Sequence, residues 1–209
     1  MPEKNKAVFI DRDGCLIHEL GYISTLKKIK FFKCSFDALR LLRKNGFKVI
    51  VVTNQSGVAR GYFPESFVKD THTHIAAQLK KEGLKIDAFY YCPHHKKAVI
   101  AKYRKDCDCR KPKQGMINAA AKRFNLDRKQ SYTMGDKLTD VKLGHNGSMK
   151  GILVLTGFGK WQKTLIRKED IKPDFIARDL LSGAKWIIKQ GERGGNQSYS
   201  TRTPQPSTL

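Results

Sequence analysis

Acidic side chains are scarce: 19 Asp and Glu stand against 41 Lys and Arg, a net charge of +22 over 209 residues. So large an imbalance favours anionic partners, phosphorylated metabolites or nucleic acid, without choosing between them. No apolar run approaches the ~18 to 20 residues that span a bilayer. The N-terminus, MPEKNKAVF, has no apolar segment of the secretory kind before the first strand signal. A soluble, cytoplasmic protein without a membrane partner is expected. The five cysteines are an odd number, which argues against a disulfide framework and for metal ligands or free thiols. There is no internal repeat, no GxxxxGK(S/T) loop and no kinase signature, so nothing suggests a nucleotide as phosphoryl donor.

What is present alternates between strand and helix patterns. AVFI at 7–10 is a short unbroken apolar run that suits a parallel strand buried on both faces. CSFDALRLLRKNG places apolar side chains at 36, 39 and 42 on one helical face, with Gly46 as a stop. FKVIVVTN reads as a second strand, PESFVKDTHTHIAAQLKKEG as a helix ending at Gly83, and DAFYYC as a third strand. After a polar insert from Cys92 to Lys113 come helix GMINAAAKRFN, strand SYTMGD, helix TDVKLGHNGS, strand GILVLTG, and a last strand and helix in PDFIARDLLSGAKWIIKQ. The alternation predicts an α/β fold with a doubly wound parallel sheet. One domain over 1–190 is expected at this length, and 191–209, rich in Gly, Ser, Thr, Pro and Gln, reads as a disordered tail.

In such a sheet ligands bind at the carboxyl ends of the strands. Three strand ends carry distinctive polar groups: Asp11 and Asp13 in FIDRDG, Thr53 and Asn54 in VVTNQSG, Asp136 and Asp140 in TMGDKLTD. Each could be a turn or a helix cap, but that explanation has to hold three times independently. Carboxylates converging from different strands repel unless a cation neutralises them, and an all-oxygen set suits Mg²⁺. A magnesium site with hydroxyl, amide and lysine donors beside it describes phosphoryl transfer. An aspartate attacking phosphorus would form an aspartyl-phosphate, with a second aspartate two residues on protonating the leaving oxygen and then activating water.

These residues resemble the haloacid dehalogenase superfamily of phosphatases, whose four motifs look matched by DRDG, Thr53 of VVTNQSG, Lys111 of CRKP and GDKLTD. FIDRDG, GYI, VVTNQSGVARGYF, CPHH, CDCRKPKQGMI and MGDKLTDVKLG, across about residues 7 to 160, are similar to its subgroup of D-glycero-D-manno-heptose 1,7-bisphosphate and histidinol-phosphate phosphatases. The resemblance implies Asp11 as nucleophile, Asp13 as general acid and base, and Thr53 and Lys111 as stabilisers of the transferring phosphoryl group. It implies Mg²⁺ held by Asp11, the backbone carbonyl of Asp13, and Asp136. Substrate recognition would fall to Glu19, Leu20, Gly21, Tyr22, Asn54, Gln55, Ser56, Arg110 and Lys137. Two departures stand out: Cys15 occupies a position usually Thr or Ser, and Cys34 and Ser35 replace a Pro-Gly turn before the first helix.

Cys92 and His94, then Cys107 and Cys109, are pairs one residue apart, separated by twelve residues. Three thiolates and an imidazole satisfy tetrahedral, structural Zn²⁺, with His95 as the rival ligand. The metal would order the loop 92–109 that delivers Arg110 and Lys111, without being needed for the main fold. The reading is a Mg²⁺-dependent phosphatase of a small phosphorylated metabolite, most simply heptose 1,7-bisphosphate, acting as a monomer. The rivals are a histidinol-phosphate phosphatase, a DNA-end 3′-phosphatase, which the +22 charge would suit, and a zinc-stabilised binding protein on an inactive scaffold.

Overall fold

The computed structural model describes residues 4–22 and 25–195, with side chains to residue 192. Strands β1 (Ala7–Ile10), β2 (Lys48–Asn54), β3 (Ala88–Cys92), β4 (Tyr132–Gly135), β5 (Lys150–Val154) and β6 (Phe175–Ala177) form one sheet in the order β3-β2-β1-β4-β5-β6. Every pairing is parallel, so the doubly wound sheet read from the alternation is borne out. Helices α1 (Lys33–Lys44), α2 (Ser56–Ala59), α3 (Glu65–Lys81), α4 (Gly115–Phe124), α5 (Leu138–Asn146), α6 (Gly159–Thr164) and α7 (Leu180–Gly195) connect the strands. None is long and apolar enough to cross a membrane.

β1 shows why a four-residue run anchors the molecule. All four side chains are buried, and the two-residue period sends them to opposite faces. Val8 and Ile10 join the core with Leu39 and Leu42 of α1 and Ala184 and Ile187 of α7. Ala7 and Phe9 pack with Met116, Ile117 and Ala120 of α4. Each of the larger side chains among them, Val, Leu, Ile, Phe or Met, contributes about 1.5–3 kcal/mol when fully buried. With β1 central and the winding reversing between β1 and β4, the crevice lies above the carboxyl ends of these two strands.

Several local expectations shift. The helix expected from Cys34 starts at Lys33, so Cys34 and Ser35 lie inside the first turn of α1 rather than before it. There the Ser35 hydroxyl donates to the Leu16 carbonyl at 2.7 Å and ties α1 to the loop after β1. α2 and α6 carry no apolar stripe long enough to be read from sequence, and neither was expected. α7 continues to Gly195, so residues 191–195 belong to a helix and not to a tail; residues 196–209, the rest of the expected disordered segment, lie outside the described residues.

Candidate active site

β1 delivers Asp11 to the crevice while its backbone N–H still donates to Met134 of β4 at 2.9 Å. The Asp11 Oδ1 atom accepts from the Arg12 N–H at 2.8 Å and pairs with Lys111 Nζ at 2.9 Å. Lys111 Nζ also lies 2.6 Å from Asp140 Oδ1 and donates to the Val52 carbonyl at 2.9 Å. Burial alone would lower the Lys111 pKa, but the two carboxylates more than offset it and hold the ammonium charged. Burial would likewise raise Asp11; Lys111 and then Lys137 reverse that and keep it an anion. Asp140 stays above the usual carboxylate range because burial outweighs the pull of Lys111.

Asp136, beyond the end of β4, is fully buried. Its Oδ2 accepts from the Phe158 N–H at 2.8 Å, whereas Oδ1 has no hydrogen-bond partner. Burial, then the charge of Asp11, pushes its pKa up to about 7. A Cβ on Gly14 or Gly157 would collide with this carboxylate, and both residues have positive φ, +77° and +51°. Only glycine therefore suits either position. Oxygen atoms of Asp11, Asp136 and Asp140 lie within 4.8 Å of one another. A buried carboxylate oxygen with no hydrogen bond, reached only by Lys137 Nζ at 3.8 Å, beside a second carboxylate is the chemistry of a hard-cation site. Asp140 is the least free of the three, since Lys111 takes Oδ1 and the Lys137 N–H donates to Oδ2 at 3.3 Å.

Asp13 is held differently. Arg12 Nη2 sits 3.0 Å from its Oδ2, and Gln55 Nε2 donates to the same oxygen at 2.8 Å. Gln55 Nε2 is also 2.8 Å from Thr53 Oγ1. Asn54 is committed to Lys111: its amide donates to the Lys111 carbonyl at 3.2 Å and its Oδ1 accepts the Lys111 N–H at 3.0 Å. Asn54 thus fixes the backbone that presents the lysine. Cys15 is buried, its thiol 3.7 Å from the Met134 carbonyl. Burial, then the Asp11 charge, pushes that thiol well up, so it stays neutral. The loop keeps its backbone bonds from Gly14 to Ile17 and from Leu16 and Ile17 to Arg12.

At the end of β3 the Cys92, His94, Cys107 and Cys109 ligand atoms cluster. Cys92 Sγ lies 3.4 Å from Cys107 Sγ and 3.8 Å from His94 Nδ1; Cys109 Sγ lies 3.2 Å from Cys107 Sγ and 3.3 Å from His94 Nδ1. A tetrahedral zinc with Zn–S near 2.3 Å sets ligand edges of about 3.5–3.8 Å, so these residues fit that ion. Burial keeps His94 below its usual pKa and neutral, as ligation requires. His95 is not in the cluster; its Nδ1 accepts from the Lys97 N–H at 3.1 Å.

The cleft above the strand ends has a volume of about 270 Å³ and is lined by Asp11, Asp13, Glu19, Gly21, Tyr22, Thr53, Asn54, Gln55, Ser56, Lys111 and Lys137, among others. Leu20 and Arg110 do not line it. Leu20 is half exposed, and Arg110 donates from Nη1 to the His94 carbonyl at 3.0 Å, on the cysteine loop. Those two positions depart from the substrate-contacting set expected from sequence. Glu19 accepts from the Gly21 N–H at 2.7 Å and faces Lys137 Nζ at 3.7 Å. Sequence reasoning counted Asp140 only among the converging carboxylates and missed that it anchors Lys111, and it gave no role to Arg12, which grips Asp13. The spacing GDKLTD carried the first signal, and a basic residue between two acids the second.

Residues 108–182 match the HAD-hydrolase-like family model. The D-glycero-beta-D-manno-heptose-1,7-bisphosphate 7-phosphatase of Haemophilus influenzae is 44% identical over 154 residues, 73% of this chain and 83% of that protein. The enzyme of the same name from Escherichia coli K12 is 38% identical over 192 residues, 91% of this chain and 97% of its relative. Among solved structures, the D,D-heptose 1,7-bisphosphate phosphatase of B. bronchiseptica, complexed with magnesium and phosphate, superposes with a TM-score of 0.77 at 26% identity, covering 88% of this chain and 99% of that one.

Proposed function

Because this chain belongs to the haloacid dehalogenase-like phosphatases, as relatives at 38–44% identity show, we propose that it releases phosphate from heptose 1,7-bisphosphate, leaving heptose 1-phosphate. The observation that carries this reading is that relatives matched over nearly the whole chain bear that activity in their name. The cleft supports it: one buried aspartate paired to a lysine, a second held at its edge, and a third with an oxygen that accepts no hydrogen bond.

Asp11 is the nucleophile. Its carboxylate attacks the phosphorus, the phosphorus–ester oxygen bond breaks, and Asp13 gives its proton to the leaving alkoxide. Water then attacks the aspartyl-phosphate, Asp13 takes the water's proton, and the bond from Asp11 to phosphorus breaks. Lys111 and Thr53 bear on the transferring oxygens, and Lys111 also holds the Asp11 anion ready. Asp11, Asp136 and the Asp13 backbone carbonyl would hold Mg²⁺, which neutralises phosphate charge when bound. Glu19, Gly21, Tyr22, Gln55, Ser56 and Lys137 line the cleft and would meet the substrate there. Cys92, His94, Cys107 and Cys109 would hold a structural Zn²⁺, which would stiffen the loop carrying Lys111. The deciding experiment is a phosphate-release screen of the purified protein with heptose 1,7-bisphosphate, histidinol phosphate and a 3′-phosphorylated oligonucleotide. The heptose ester should be turned over with much the highest kcat/KM; preference for either other substrate replaces this reading.

The zinc assignment has its own test. Elemental analysis should find about one zinc per chain, and Cys107→Ser with Cys109→Ser should lose it. Activity should then fall at least about 10-fold, as for a loosened supporting shell, while far-UV circular dichroism stays largely native, because neither residue is among the fully buried core side chains and Cys109 only packs at the edge of the core beneath α4. A zinc-free native protein removes the site, and global unfolding of the double variant overturns the separation of loop from core.

A further inference from the structure

Two buried residues beside Asp13 have no part in these steps. Arg12 and His72 are 4% and 7% exposed. The Arg12 Nε lies 3.2 and 3.1 Å from the two Asp13 oxygens, Nη2 lies 3.0 Å from Oδ2, and Nη1 lies 3.3 Å from His72 Nε2. A guanidinium only donates, so the His72 nitrogen accepts and the ring is neutral. Burial, then the neighbouring Arg12 charge, pushes the His72 pKa down to about 3, so it cannot serve as a proton carrier near neutrality. The ring is itself immobilised, stacked on Phe89 of β3 at 4.7 Å and 19° and edge-on to Tyr91 at 5.7 Å.

An arginine taken out of water beside a reactive carboxylate is costly unless its geometry is used, since an apolar side chain of similar volume would pack there without the desolvation penalty. We propose that Arg12 and His72 are positioning residues. His72, fixed by the wall of α3 and β3, sets the plane of the Arg12 guanidinium, and Arg12 in turn sets the orientation of the Asp13 carboxyl group. This inference rests on the reading of Asp13 as the acid and base.

The proton balance explains why a guanidinium suits the place. When Asp13 gives its proton to the leaving alkoxide it becomes a carboxylate, the form that the arginine fork grips, so Arg12 stabilises the product of the acid step. The same grip holds that carboxylate in place to take the proton of the attacking water in the second step. Lysine could not do this, because a point charge does not fix the plane of a carboxylate. His72 touches no substrate and acts only through Arg12.

The test compares wild type, Asp13→Asn, Arg12→Met, His72→Phe and His72→Gln on p-nitrophenyl phosphate and heptose 1,7-bisphosphate. p-Nitrophenolate leaves without a proton, so its first-turnover release reports attack by Asp11 alone, and later turnovers report the water step. Arg12→Met and His72→Phe should lower steady-state turnover of both esters about 10–100-fold, a fraction of what acid–base catalysis contributes. First-turnover release of p-nitrophenolate should stay within a few-fold of wild type, so a burst develops. His72→Gln, which keeps an acceptor, should recover most of the lost rate. Equal losses in first and later turnovers, or unchanged turnover in both Arg12→Met and His72→Phe, overturn the positioning role. An Asp13→Asn variant of near-normal activity instead removes the reading beneath it. Should His72→Phe not fold, Arg12→Met and His72→Gln decide the matter in the same way.

Discussion

Asp11→Asn should abolish phosphate release. The uncatalysed hydrolysis of phosphate monoesters is so slow that enzymes accelerate it by up to ~10²¹, and an amide in place of the nucleophile leaves no route to an aspartyl-phosphate. A loss on the order of 10⁴-fold or more in kcat is expected, with no phosphorylated protein detectable by mass spectrometry under conditions that trap it in wild type. The fold should tolerate the change, because the amide oxygen can still accept from the Arg12 N–H and Asp140 still balances Lys111. Near-normal turnover of this variant would place the nucleophile elsewhere and undo the mechanism.

Lys111→Met carries the second large effect, and it falls on stability as well as rate. Lys111 is the shared counter-ion of Asp11 and Asp140, all three being buried. Removing one partner of a buried pair costs about 3–5 kcal/mol, because the charge left behind is uncompensated. The direction with pH follows from Asp11, whose folded pKa Lys111 holds below the usual carboxylate value. Stability from such a group is present above the unfolded pKa and lost as pH falls through the folded one. Without the lysine, burial raises both carboxyls above their unfolded values, so the variant loses stability as pH rises. The gap in Tm between wild type and variant, measured with EDTA present, should therefore be widest near pH 7 and narrow towards pH 4. A gap independent of pH would mean that Lys111 contributes packing rather than charge. Turnover should fall by at least about 10²-fold, as for removal of one charged stabiliser of the transition state.

Much of this protein was legible in one dimension. The apolar run at 7–10, the helix stripe at 36, 39 and 42, and the alternation of strand and helix are local patterns, and burial enforces them wherever the chain goes. They determined the parallel sheet, and with it the end of the sheet where Asp11, Thr53 and Asp136 emerge. The order of the motifs pointed to the chemistry, and the cysteine and histidine spacing pointed to a four-residue cluster that the fold brings together. Sequence could not say which partner each polar group takes, because that depends on crossovers joining residues as distant as Asp11 and Lys111 and on the rotamers packing allows. Tertiary structure alone committed Asn54 to the Lys111 backbone, turned Arg110 onto the His94 carbonyl, and set Asp140 against Lys111. It also buried Arg12 between Asp13 and His72. Hydrophobic period is carried by each segment on its own, whereas a hydrogen bond or ion pair has to be closed in three dimensions by groups whose desolvation leaves them no alternative.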